Sequence, residues 1–268
     1  MTERNFKLTL EYDGTGFAGW QVQPGQRTVQ GVLEDAATDL CARFGGAEAD
    51  AAATHRSGTD AERVAVTGAG RTDAGVHALG QVASASLATD LDASRLMAAL
   101  NARLPDDVLL REAEEVDPSF HARFDATSRH YLYLLSGSES PLWRGRRWFV
   151  RYDLDKNAMR KAASVLEGEH DFSSFCIAGS EPSHHRCRVE RISLEWESAF
   201  GGILALHVEA DRFLRGMVRS IVGTLVDVGR GRNRPEDVSA ILEAGDRGSA
   251  GATAPAHGLY LVEVRYDR

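Results

Sequence analysis

Apolar and polar residues alternate through "KLTLEYDG" (7–14), which ends in a turn signal and reads as a strand. In "TVQGVLEDAATDLCARF" (28–44) the period changes. Val29, Leu33, Ala36, Leu40 and Phe44 recur at helical spacing behind Thr28, a suitable N-cap. Residues 45–64 are small and polar with no clear period, which predicts an exposed loop. "GQVASASLA" (80–88) then reads as a strand, "SRLMAALNARL" (94–104) as a helix stopped by Pro105, and "VLLREAEEV" (108–116) as another strand.

A second half begins near Asp117-Pro118. "HYLYLLSG" (130–137) alternates as a strand, and "LDKNAMRKAASVLEGEHD" (154–171) reads as a helix. "VERISLEWES" and "GILALHVEA" form a hairpin joined around Gly201-Gly202. In "DRFLRGMVRSIVGTLVDVGRG" (211–231), Phe213, Met217, Ile221 and Leu225 fall on one helical face, and the run ends at glycine. A short helix after Pro235 and a final strand "LYLVEVRY" follow. Both halves mix strands with helices and neither repeats the other. The expected class is α+β, with a domain over 1–116 and another over 117–268, each a mixed or antiparallel sheet with helices on one face.

Composition narrows the setting. Of the 268 residues, 43% are apolar and 26% charged, as in a soluble globular protein. No apolar run approaches the ~20 residues that span a bilayer. The start lacks the basic and apolar regions of a signal peptide, and Cys41, Cys176 and Cys187 are too scattered for a disulfide framework. A cytoplasmic protein without a membrane partner is expected. The net charge of −8 argues against nucleic acid as an average. Locally, however, "HARFDATSRHYLYLL", "WRGRRWFVRY", "HHRCRVERI" and "DRFLRGMVRS" are basic, and nearly all of their cations are arginine, which suits phosphate. An acidic shell around a basic cleft fits both facts.

The glycine-rich stretch "GAGRTDAGVHALGQVASAS" (68–86) is the first candidate for chemistry. It is no dinucleotide fingerprint: the third glycine, Gly75, comes two places late and a strand-like run follows instead of a helix. "CIAGSEPSHHRC" offers Cys176, His184, His185 and Cys187, but their spacing matches no usual zinc site and reads as a polar loop. No serine elbow or activated cysteine is evident. That leaves Asp73. A carboxylate is ionised well below neutrality, near ~3.9, so it can act as a nucleophile without activation, and flanking glycines admit a bulky substrate. On spacing alone, a turn salt bridge between Arg71 and Asp73 explains the stretch equally well.

"GAGRTDAGVHALGQV" resembles the active-site signature of the TruA family of tRNA pseudouridine synthases. The resemblance runs in order along nearly the whole chain, through "YDGTGFAGWQVQPGQRTVQGVLE", "NARLPDDV", "FHARFDATSRHYLYLL", "GEHDFSSF", "FLRGMVRSIVGTLVDVG" and "APAHGLYLVEV". The loop 45–64 and the histidines of "SHHRCRVERI" depart from it, outside the core motifs.

The resemblance implies the pseudouridine synthase fold with an active-site cleft between the two domains. It also implies isomerisation of uridine to pseudouridine at positions 38 to 40 of the tRNA anticodon stem-loop, by a homodimer that needs neither cofactor nor metal. Asp73 is then the nucleophile, at the sugar C1′ or at C6 of the base, acting on a flipped-out uridine. Arg71 occupies the space the base leaves, Tyr131 packs on the base, and Arg215 or Arg219 pairs with Asp73, the two being one turn apart on the expected helix. Arg123, Arg129, Arg144, Arg146 and Arg147 are expected along the RNA path. Two other readings are a catalytically inactive tRNA-binding protein of the same fold and a metal-dependent hydrolase using the His-Cys loop. The intact Arg71, Asp73 and Tyr131 set speaks against the first, because a carboxylate in a phosphate-binding cleft repels the backbone.

Overall fold

A computed structural model describes residues 3–44, 63–177, 184–197 and 202–267. The chain divides into two units, Met1–Ala74 with Ala78–Asp125, and Gly75–His77 with Ala126–Arg268.

In the first unit, β1 (Glu3–Tyr12) lies between β4 (Val108–Val116) and β3 (His77–Ala88), antiparallel to both, and the short β2 (Val66–Gly68) pairs antiparallel with β3. Phe6, Leu8, Leu10 and Tyr12 of β1 are buried on alternate positions, the period that the sequence predicts. Two helices bury apolar stripes, α1 (Val29–Phe44) through Val29, Leu33, Ala37 and Leu40, and α2 (Ala93–Asn101) through Leu96 and Leu100. Thr28 caps α1, its Oγ1 accepting from Gly31 N–H at 3.2 Å, and Asp92 caps α2 by accepting from Arg95 N–H at 2.9 Å. Asn101 ties α2 to β4 by exchanging hydrogen bonds of 2.8 and 2.9 Å with the Leu110 main chain.

The second unit has the antiparallel order β10 (Leu259–Tyr266), β5 (Ala126–Ser136), β9 (Ile203–Ala210), β8 (Arg186–Glu197) and β7 (Gly168–Asp171), with β6 (Trp148–Phe149) parallel to the end of β5. Tyr131, Tyr133 and Leu135 of β5 and Leu204, Leu206 and Val208 of β9 are buried, while the residues between them are half-buried. One face therefore carries the core. Helix α3 (Lys156–Ser164) lies against α4 (Met217–Gly229) and β8. Helix α5 (Asp237–Ala244) contributes Val238, Ile241 and Leu242 to the core. Helix α4 is buried nearly all round, so tertiary packing sustains it rather than its propensity.

Two expected helices are shortened. The run 154–171 is helical only over α3: Asp155 caps its start, the helix ends at Ser164, and Gly168, at φ +100°, opens β7. The run 211–231 is helical only from Met217, because Gly216 adopts φ +67°, a left-handed conformation that no helix continues. Phe213 and Arg215 thus precede the helix, and Arg215 does not share a helical face with Arg219. Most of the loop 45–64, the Gly201 side of the hairpin turn and residues 178–183 of the His-Cys segment lie outside the described residues. Among those described, no helix is long and apolar enough to cross a membrane.

Candidate active site

The Asp73 turn joins β2 to β3 and is held from both ends. Ala69 N–H donates to Val82 O at 2.7 Å, and the fully buried Gln81 donates its side-chain amide to Gly70 O at 2.7 Å. Thr72 is the anchor. Its Oγ1 shares a buried 2.7 Å hydrogen bond with the Tyr12 hydroxyl, and its carbonyl accepts from Trp20 N–H at 3.0 Å. Gly19, at φ +104°, brings its α-carbon so close that a Cβ would stand 2.7 Å from Thr72 O and 3.3 Å from the Asp73 carbonyl carbon. The segment "GFAGW" is thus a mould for the peptide before and after Asp73, whose side chain is half-buried.

Arg71 is exposed, and among the described residues no ion pair joins it to Asp73. The alternative of a local salt-bridged turn therefore has no support in the geometry. A cation that the fold leaves in water beside a moulded carboxylate suits contact with an external anion better than a structural role.

Tyr131 is 7% exposed in the middle of β5, opposite Leu261 and Val208, with Phe213 edge-on at 4.9 Å. The two candidate arginines differ. Arg215 is exposed, and its carbonyl accepts from Ile177 N–H at 2.9 Å. Arg219 is half-buried in the first turn of α4, with Nε donating to Ala254 O at 2.7 Å. Arg219 thus braces the segment before β10, whereas Arg215 lies in the segment before α4.

The remaining arginines also separate. Arg129 donates Nη1 to Ala126 O at 3.0 Å and Asp211 O at 2.7 Å, a commitment to main chain. Arg123 is exposed beside Phe124, its guanidinium carbon 5.7 Å from the ring. Arg144 is exposed, Arg146 half-buried and Arg147 buried, with the Arg147 guanidinium 4.9 Å over Trp143. The acidic excess of the sequence lies wholly in the first unit, and the second is close to neutral with a slight basic excess.

In the His-Cys segment, His184 Nε2 lies 2.9 Å from Arg212 Nη1, and burial pushes the Cys187 thiol up to about 12. A thiol so disfavoured as thiolate is a poor ligand. Among the described residues, no group of three or more His, Cys, Asp or Glu is placed to hold a metal ion.

Sequence reasoning assigned no role to Tyr12, Trp20, Thr72, His77 or Gln81. His77 is 2% exposed, stacks on Tyr260 at 4.8 Å, and places Nε2 3.2 Å from Gly145 O. Tyr12, Trp20, Thr72 and Gln81 hold the main chain of the turn, and His77 packs at the start of β3. The available signal was that a tyrosine, a tryptophan and a glutamine all sat within the motif blocks.

A family model described as tRNA pseudouridine synthase matches residues 9–125 and 162–267. Proteins named tRNA pseudouridine synthase A are similar over nearly their whole length. That of Acetivibrio thermocellus is 42% identical over 98% of this chain and 100% of its own. That of Bacillus pumilus is 44% identical over 97% and 98%, and that of Thermosipho africanus 44% over 98% and 100%. With the motif blocks, the moulded aspartate turn and full-length likeness all in agreement, the chain belongs to the tRNA pseudouridine synthase family.

Proposed function

We propose that this protein isomerises uridine to pseudouridine in the anticodon stem-loop of tRNA, at one or more of positions 38 to 40, with Asp73 as the nucleophile on a flipped-out base. The observation that carries the reading is the mould around Asp73. Tyr12, Trp20 and Gly19 fix the main chain on both sides of a half-buried carboxylate, while Arg71 beside it faces water. A fixed carboxylate suits covalent catalysis, because attack splits one difficult bond exchange into two easier ones. The target is stacked in RNA and must leave the stack to be reached; Arg71 occupies the vacated space.

In this reading the first unit supplies the nucleophile. The second supplies Tyr131 to pack on the base and Arg215 to pair with Asp73. Arg215 is preferred because the Arg219 Nε is committed to Ala254 O. Arg123 and Arg129 contribute to RNA binding, Arg129 by bracing the Asp211 loop. The protein acts as a cytoplasmic homodimer, in which one subunit holds the body of the tRNA on which the other works.

Tritium release from tRNA carrying 5-tritiated uridine tests the proposal. The wild-type protein is expected to release tritium in the presence of EDTA, and Asp73→Asn to bind tRNA but not to turn over. Sustained release by Asp73→Asn would remove Asp73 as nucleophile.

A further inference from the structure

The second unit contains a pocket of about 360 Å3 between the segment after β5 and the turn before β10. Its walls include Trp143, Trp148, Phe149, Arg144, Arg147 and His257. The volume is at the lower end of the roughly 300–1,000 Å3 of small-ligand sites.

The walls are fixed by bonds outside the pocket. β6 carries Trp148 and Phe149 on the end of β5, and Trp148 sits edge-on to the buried Tyr133. The Tyr133 hydroxyl donates to Pro255 O at 2.8 Å, and burial raises its phenol far enough that it remains a donor at all ordinary pH. Tyr260 donates to Arg146 O at 2.7 Å, and Gly145 O is within 3.2 Å of His77 Nε2. A ligand entering this site therefore orders little protein, and preformed walls raise affinity by that saving.

The chemistry of the walls is specific. Trp143 remains 37% exposed although the Arg147 guanidinium lies 4.9 Å over its ring. Arg147 itself is only 5% exposed. Arg144 is exposed and, among the described residues, makes no hydrogen bond or ion pair. Burial holds His257 below its ordinary value, with Arg219 adding to the effect and a bond to the Arg147 main chain opposing it, so the ring is neutral near pH 7. Indoles and guanidinium planes together are the surface on which unstacked bases are held, and guanidinium is the group that grips their phosphates.

We propose that this pocket binds one unpaired nucleotide of the RNA substrate, its base against the indoles and its phosphate on Arg144 and Arg147. The proposal rests on tRNA being the substrate. It adds a second point of hold on the loop, separate from the uridine that reacts at Asp73.

Uridine 5′-monophosphate, uridine and inorganic phosphate are titrated into the full-length protein while tryptophan fluorescence is followed. Saturable quenching by the nucleotide is expected, retained in Asp73→Asn and weakened at least about fivefold in Arg144→Ala and in Trp143→Ala. Uridine should lose its response in Trp143→Ala but keep it in Arg144→Ala. In the double variant, tRNA affinity should fall about tenfold, with KM raised and kcat close to wild type. Absence of nucleotide quenching in the wild-type protein overturns the proposal. Quenching with unchanged tRNA affinity assigns the pocket to a free nucleotide and overturns the RNA source. A smaller sedimenting species in the double variant makes the pocket a subunit contact and overturns it too. Failure of the tRNA reading shows separately, as wild-type protein that releases no tritium.

Discussion

Replacing Gly19 by alanine tests whether the mould around Asp73 sets the rate. Two costs are expected and can be separated. The first is conformational. At φ +104°, an L residue is held where it rarely goes, at a cost of about 1–3 kcal/mol. The second is steric. The new Cβ would stand 2.7 Å from Thr72 O, 3.2 Å from Ala74 N and 3.3 Å from Asp73 C, all of them main-chain atoms. Ordinary carbon contacts begin near 3.4 Å, so the turn must yield by about 0.7 Å. Thr72 resists that shift through Tyr12 and Trp20, so the strain passes to the Asp73 peptide. A misplacement approaching 1 Å can cost on the order of 100-fold, which sets the expected loss in kcat at about 10- to 100-fold. Gly25 is the control: its φ is +69°, but nothing lies within 4 Å of a Cβ there. Gly25→Ala should lose about 1 kcal/mol of stability and none of kcat, while Gly19→Ala loses about 2–4 kcal/mol and turnover as well. Urea midpoints give the first quantity, and single-turnover tritium release at saturating enzyme gives the second. Folded Gly19→Ala protein with kcat within about twofold of wild type would refute the argument that this contact positions Asp73.

Two further predictions follow from the second unit. Gly216→Ala would place a Cβ 2.1 Å from Ile177 Cδ1 at φ +67°, and a loss of about 2–3 kcal/mol is expected in urea unfolding. Adding Ile177→Ala should recover part but not all of that stability, since the clash is removed while the strained φ remains; no recovery would show that contact with Ile177 is not the source of the loss. Acid should weaken the fold through two histidines. Burial foremost lowers both His130 and His257. His130 is lowered further by His207, 3.0 Å away, and by Arg265, against the opposing pull of Glu209 and Glu263. Unfolded, each histidine takes its proton near 6.5, so the unfolded state binds more protons just below that pH. The stability these histidines provide is complete above about pH 6.5 and is lost as pH falls toward their folded values. The urea midpoint should drop from pH 7.5 to pH 5.0, and His130→Gln should flatten the drop; a midpoint that rises on acidification contradicts the assignment.

What was legible in the sequence divides by the range of the signal. The period-2 and period-3.6 runs of β1, α1, α2 and the β8–β9 hairpin are averages over many residues, and the structure reproduces them. β2 and β6, with three and two residues, are too short to carry a period. The start of α4 failed for a different reason. Phe213, Met217 and Ile221 do recur at helical spacing, but a single left-handed Gly216 ends the helix regardless of how well its neighbours repeat. The same residue separates Arg215 from Arg219, so the pair that periodicity made equivalent becomes one exposed arginine and one that braces Ala254. The glycines of the Asp73 turn carry a parallel lesson. They read as room for a substrate, yet the face of Gly68 is filled by the Trp20 indole, whose atoms would meet a Cβ at 2.5 Å. A glycine in a motif marks a close approach without saying what approaches. Here one of them admits a tryptophan from a block some fifty residues earlier, which couples the two motifs physically. The aspartate was legible because its chemistry belongs to one residue. Its mould was not, because it consists of contacts between segments far apart in the chain.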